Sequence, residues 1–214
     1  MELTASDDGQ QPVSRLSRRR NRRKAQIVRV AIEMLATSGY QGMSLEGVAE
    51  RTDIAKATLY HYFSSKDELV AEALEALATA VLDRLIAVRD AAGSRSRREC
   101  LRVLVREQLQ VLTVEFPEVG SIFSSQSTWP SVHDEARKSM RRRHDAIFRE
   151  IVDAGVDAGE FDCDDVDVAL QCHHAVMNSV SLWIGRSGDP AERAAAIEAV
   201  VRAVMRIFTT TNEN

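Results

Sequence analysis

"SLEGVAERTDIAKATLYHYFSSKDEL" runs from Ser44 to Leu69 and holds the starts of three helices. Ser44 is a good helix N-cap, and Glu46 sits in the first turn, where a negative charge suits the helix dipole. Leu45, Val48 and Ala49 supply one apolar face, so a helix is expected from Ser44 to Thr52 or Asp53. After a short turn, a second helix is expected from Lys56 to Tyr62, held on the core by Leu59 and Phe63 four residues apart. Ser64 or Ser65 caps a third, long helix with Asp67 and Glu68 in its first turn. Its stripe of Leu69, Ala73, Leu77, Ala80, Leu85 and Val88 runs to Ala92, and Gly93-Ser94 breaks it. Two short helices joined by a tight turn, residues 44–63, make a helix-turn-helix unit.

In such a unit the second helix enters the DNA major groove and the first crosses the backbone. Lys56, Ala57, Thr58, Tyr60 and His61 remain for the outer surface. Lysine neutralises phosphate, Thr and Tyr hydroxyls reach phosphate oxygens or base edges, and the Thr methyl packs on thymine. Ser44 and Lys66 stand at helix starts, where free backbone N–H groups favour phosphate. A purely structural or protein-binding module would leave this surface without a purpose.

Toward the N-terminus, Ile27, Val28, Ala31, Ile32 and Leu35 mark a helix from Asn21 that Gly39 is placed to stop. Residues 1–20 read as a disordered leader. Arg15 to Lys24 holds seven basic residues and no acid, although the formal net charge of the chain is −4. A basic end on an acidic body suits a polyanion, and a solvated tail is the competing reading. Arg18, Arg19, Arg22 and Arg23 are assigned to the DNA backbone or minor groove.

At this point "GYQGMSLEGVAERTDIAKATLYHYFSSKDELVAEAL", Gly39–Leu74, resembles the DNA-binding domain of TetR-type transcriptional regulators. The likeness covers Asn21 to Val81. It rests on the Gly-Tyr after the first helix, Ser44, Val48-Ala49, Lys56, Thr58-Leu59-Tyr60, Phe63 and Ser65-Lys66-Asp67. Two positions depart from the pattern. Asp53 stands where the family usually has glycine, and Asp tolerates the left-handed conformation better than most residues. Ala55 replaces a common serine cap, at a cost of roughly 1 kcal/mol. The resemblance implies a homodimer on a near-palindromic double-stranded operator, usually as a repressor. It also implies a small-molecule effector in the C-terminal domain, with the long fourth helix linking effector to DNA.

With 214 residues, 44% of them hydrophobic and 28% charged, the chain can bury a real core as a soluble globular protein. No apolar run approaches the roughly 20 residues of a membrane helix, so no membrane partner is expected. Three cysteines, Cys100, Cys163 and Cys172, match no zinc spacing, and with no export signal a reduced cytoplasmic setting is expected. Helices continue through Arg97–Glu115, a short piece from Pro117 to Ser125, Ser131–Asp157, Val166–Ile184 and Pro190–Phe208. The expectation is an all-α fold of about nine helices. Residues 21–81 form the DNA-binding domain, and 82–214 the ligand-binding and dimerisation domain.

The C-terminal half carries less. "GVDAGEFDCDDVDVAL", Gly155–Leu170, followed by an apolar helix ending "SLWIG", resembles a branch sensing acyl-CoA or related lipid and steroid catabolites. Asp164 and Asp165 also explain themselves as helix caps. Phe116, Phe123, Trp129, His144, Phe148, His173 and Met177 are candidate pocket residues, with plain core as the alternative. Val176, Val180, Trp183, Val200, Val204 and Ile207 could form a four-helix seam between subunits, or simply intramolecular core. An enzyme is the rival class. Cys172-His173-His174 is the most reactive-looking cluster, yet adjacent helical positions diverge. Glycine-rich phosphate loops, HExxH, GxSxG and a calcium hand are all missing. No cofactor and no metal are expected.

Overall fold

The structure, a computed structural model, describes residues 15–115, 122, 129–180, 183–184 and 189–209. Helix α1, Arg15–Gly42, buries Ile27, Val28, Ala31, Met34 and Leu35. It begins at Arg15 rather than Asn21, so Arg15 to Arg20, expected in the leader, form its first turns. Arginine is a good helix former, and no Gly or Pro interrupts these turns. At Gly39 the helix breaks (φ 65°, ψ 179°), in a conformation essentially reserved for glycine.

Helix α2 is Leu45–Arg51, α3 is Lys56–Tyr60 and α4 is Lys66–Ala92. Helix α3 ends before the expected Tyr62, because the amides of Tyr62 and Phe63 both return to the Leu59 carbonyl. Helix α5, Arg97–Gln110, winds on through a wider π turn, Val111–Glu115. A 3₁₀ turn at Ser131–His133 leads into α6, Asp134–Asp157. Helices α7, Val166–Val180, and α8, Pro190–Met205, complete the set, and a 3₁₀ turn at Arg206–Phe208 follows. The fold is all-α. Eight α-helices lie among the described residues, and of the helix expected from Pro117 to Ser125 only Ile122 is among them.

Caps punctuate the chain where the sequence places them. Ser65 Oγ accepts from the Glu68 amide at 3.1 Å, while Glu68 accepts from Ser64 at 2.6 Å. Asp165 accepts from the Val168 amide and Asp189 from the Ala191 amide, with Pro190 in the first turn of α8. Gly159 (φ 69°) closes α6 as its amide bonds the Val156 carbonyl.

Helix α4 is the spine. It packs on α1 at its start and on α5 and α6 further along. Its 27 residues span about 40 Å, so one rigid element belongs to both halves of the molecule. One contiguous core runs from Ile27 to Phe208. Val180 and Val204 are 0% exposed and Val200 6% within the single chain, so the seam assignment fails for these three. Their surface is already spent on their own core, and nothing is left for a second subunit.

Candidate functional site

The head is built from α1 to α4. Ser44 caps α2, its Oγ accepting from the Gly47 amide at 3.1 Å. Thr52 closes α2 by donating to the Val48 carbonyl at 2.7 Å. Asp53 turns the chain with φ 52°, the left-handed conformation expected of it. Ala55 starts α3 without a side-chain cap. Leu59 and Phe63 are buried, which turns Lys56, Ala57, Thr58, Tyr60 and His61 outward. Lys56 lies 6.0 Å from the centre of the Tyr60 ring and pairs with Glu46 of α2. That pairing holds the Glu46 carboxyl below its usual pKa and raises that of Lys56. The pair is solvent-exposed and weak, so a phosphate can take Lys56 at little cost.

The basic run lies along the start of α1. Arg18, Arg19 and Arg22 are exposed. Arg23 instead donates to Gln26 at 3.1 Å and reaches the Thr52 carbonyl at 3.4 Å, and Lys24 donates to Glu72 of α4 at 2.7 Å. The exposed arginines stand on the outside of the first turns of α1. Lys66 is half-buried, 4.1 Å above the Tyr40 ring at the start of α4.

Asp67, in the first turn of α4, ties the head to the rest. It accepts from the Tyr40 hydroxyl at 2.6 Å and lies 2.9 Å from His133 Nε2. The Tyr40 bond, with His133 adding to it, holds the Asp67 carboxyl below its usual pKa, and that bond raises the Tyr40 phenol in turn. Trp129 packs against both rings, 6.0 Å from Tyr40 and 6.1 Å from His133, and Arg137 of α6 lies 5.5 Å from the indole.

Arg137 also borders a cavity of about 300 Å³ between α4, α5, α6 and α7. Leu77, Val81 and Leu82 of α4, Leu112, Met140 and Met177 make it apolar. Arg137, Lys138 and Arg141, against Asp134 alone, make its rim basic. Gln108, His144, His174 and Asn178 add polar atoms. Burial pushes the pKa of His174 down to about 4 with help from His144, and complete burial pushes His173 well below its usual value. Both rings are neutral near pH 7.

Residues 27–73 match the family described as bacterial regulatory proteins, tetR family. Residues 94–211, more than half of the chain, match the tetracyclin repressor-like C-terminal domain. The chain belongs to the TetR family. It is a DNA-binding transcriptional regulator, and its relatives are regulators rather than enzymes. The DNA-binding transcriptional repressor TetR of Mycobacteroides abscessus is 27% identical over 182 residues, 78% of this chain and 90% of that one. The HTH-type regulator PksA of Bacillus subtilis is 30% identical over 133 residues, 59% of each chain. This chain thus spans less than two thirds of PksA. The fold matches that of the regulator FadR from Bacillus subtilis, solved in complex with stearoyl-CoA. There the TM-score is 0.71 at 17% identity, over 85% of this chain and 97% of that one.

Within this TetR-family chain, two of the expected pocket residues line the cavity: His144 and Met177. Phe148 and His173 are wholly buried behind it, their rings 4.5 Å apart. Trp129 belongs to the Tyr40 cluster, outside the cavity, because its ring is taken by α1 and the turn before α6. Phe116 and Phe123 lie outside the described residues. The basic rim is a feature that the aromatic pocket candidates pass over. Its signal is present in the sequence all the same, since Arg137, Arg141 and His144 recur at i, i+4 and i+7 on one face of α6.

Proposed function

We propose that this protein is a ligand-responsive repressor that binds a near-palindromic operator as a homodimer and is released by a small apolar or acyl-CoA-like effector. One observation carries the reading: α4 is shared. Its first turn holds Asp67, anchored to α1 and the His133 turn, directly after the recognition helix α3. Its middle, Leu77 to Leu82, is a wall of the cavity. A ligand that fits the cavity in only one position of α4 biases the head by its differential affinity, and DNA biases the cavity equally in return. The Arg137–Trp129–Tyr40 contacts offer a second physical link between the same two places.

The chemistry of the cavity supports the effector class. An apolar floor takes an acyl or ring body, and three rim cations take an anionic head group. The stearoyl-CoA in the FadR complex is a ligand of this kind in the same fold. Repression follows the Mycobacteroides relative's name. For the homodimer, the outward side of α7 offers Val168, Cys172, Ala175 and the adjoining Trp183, all exposed. Val176 and Ile207 of the expected seam are half-buried.

The test is selection of genomic fragments by the purified protein at two salt concentrations, followed by titration of the selected site with acyl-CoA esters. The expected result is a near-palindrome with half-sites about one helical turn or slightly more apart, released by a long-chain ester. Retention without sequence preference would overturn the operator reading. A palindrome indifferent to every ester would overturn the effector class alone.

A further inference from the structure

His144 and His174, which line the cavity from α6 and α7, meet Asp145 of α6. The ligating atoms of the three side chains all lie within 4.8 Å of one another. His174 Nε2 stands 2.6 Å from Asp145 Oδ1, and His144 Nδ1 stands 3.7 Å from the same oxygen. His174 is 4% exposed. Its Nε2 and Asp145 Oδ1 are both sealed from solvent, and close as they are, neither makes an aligned hydrogen bond. Buried polar atoms are rarely left so. Two at one spot, one nitrogen and one oxygen, mark a place for a ligand that accepts electron pairs from both.

Gln108 completes the arrangement. Its amide lies 2.8 Å from His144 Nε2, while its buried Oε1 has no partner. The two ends of a carboxamide are alike in shape. With Oε1 turned to His144, it accepts the Nε2 proton and loses its own deficit. The lone pair of His144 is then on Nδ1, facing Asp145. This is how supporting residues fix the tautomer of a metal-binding histidine.

We propose that His144, Asp145 and His174 bind a divalent transition-metal ion of the zinc class, with Gln108 as a positioning residue. Two imidazoles and a carboxylate suit zinc and its first-row neighbours better than magnesium or calcium. Bonds of about 2.0–2.2 Å set tetrahedral ligand atoms roughly 3.3 Å apart, between the separations seen here. Three protein ligands leave a fourth position open. Both histidines line the cavity, so water or a donor atom of the effector takes it. One carboxylate leaves a bound dication with positive charge, beside the Arg141 of the rim, and the site therefore favours an anionic fourth ligand. The inference stands apart from the operator reading, since metal binding is read without DNA.

The experiment is titration of the chelator-stripped full chain with Co²⁺, followed by its visible absorption and by displacement with Zn²⁺. One ion per chain is expected, with bands of nitrogen and oxygen coordination and a rise in Tm. His174→Ala and Asp145→Asn each weaken binding by about 100-fold or more, and Gln108→Leu by about 10-fold. Cys163→Ser leaves it unchanged. Asp145→Asn keeps the side-chain shape, so a loss of binding with an unchanged circular-dichroism spectrum separates ligation from misfolding. Absence of saturable binding would overturn the site, as would binding retained in both Asp145→Asn and His174→Ala.

Discussion

Tyr60 shows what a single residue can be asked to do. Its ring is 45% exposed on α3 and flanked by Lys56, so nothing in the core depends on it. Tyr60→Ala is expected to weaken specific operator binding by about 10- to 100-fold, since a base-reading side chain is worth about 1–3 kcal/mol. Stability should change by less than about 0.5 kcal/mol. Fluorescence anisotropy and urea denaturation measure the two. Asp67 behaves in the opposite way. Asp67→Asn keeps the shape but weakens the bonds from Tyr40 and His133, at about 1 kcal/mol after allowing for the half-exposed carboxylate. The pKa of Asp67 is lower in the folded chain, so the folded state favours the charged form. The advantage of the native protein over the Asp67→Asn variant should be complete above about pH 4 and fade as the pH falls further. Melting curves of both proteins across pH 2–6 check that sign.

At the scale of elements, the start of α1 is a basic helix, and its effect on DNA should be uniform. Replacing Arg18, Arg19 and Arg22 by Ala should weaken binding to all sequences. The slope of log K against log salt should flatten by about 0.9 for each phosphate no longer neutralised. An unchanged slope would make the run a solvated face. The end of α6 poses a packing question. A Cβ at Gly155 would lie 2.1 Å from the Phe161 ring, and that ring is buried. Gly155→Ala gains up to about 1 kcal/mol in helix propensity, while overpacking costs about 1–3 kcal/mol or more. The clash should win, lowering the urea midpoint.

For the whole molecule, the proposed homodimer puts the outward face of α7 and the adjoining Trp183 to the test. Trp183 is 52% exposed and Val168 57%, whereas Val180 lies in the core. Trp183→Glu should give a folded monomer in sedimentation, while Val180→Glu should unfold the chain by burying a charge. A dimer that survives Trp183→Glu would place the interface elsewhere. The burial of Val180, Val200 and Val204 in their own chain was not legible in the sequence. Helices α7 and α8 are rich in apolar residues on several sides, and periodicity does not say which side meets its own core.

Features legible along the chain are local: the N-cap at Ser44, a cap at Ser64 or Ser65 and another at Asp164 or Asp165, the turn at Asp53, and the inward Leu59 and Phe63. Each depends on neighbours within about four residues, the range over which backbone sterics and helical spacing act. What lies opposite what is a matter of how the helices pack. Cys172-His173-His174 offers no joint site along its own helix. Yet His174 stands against His144 and Asp145 because α6 packs on α7. Likewise Asp67 meets His133, 66 positions away, because the turn before α6 lies against the start of α4. Contacts between distant segments are set by the packing of whole helices, and that packing leaves no period in the sequence.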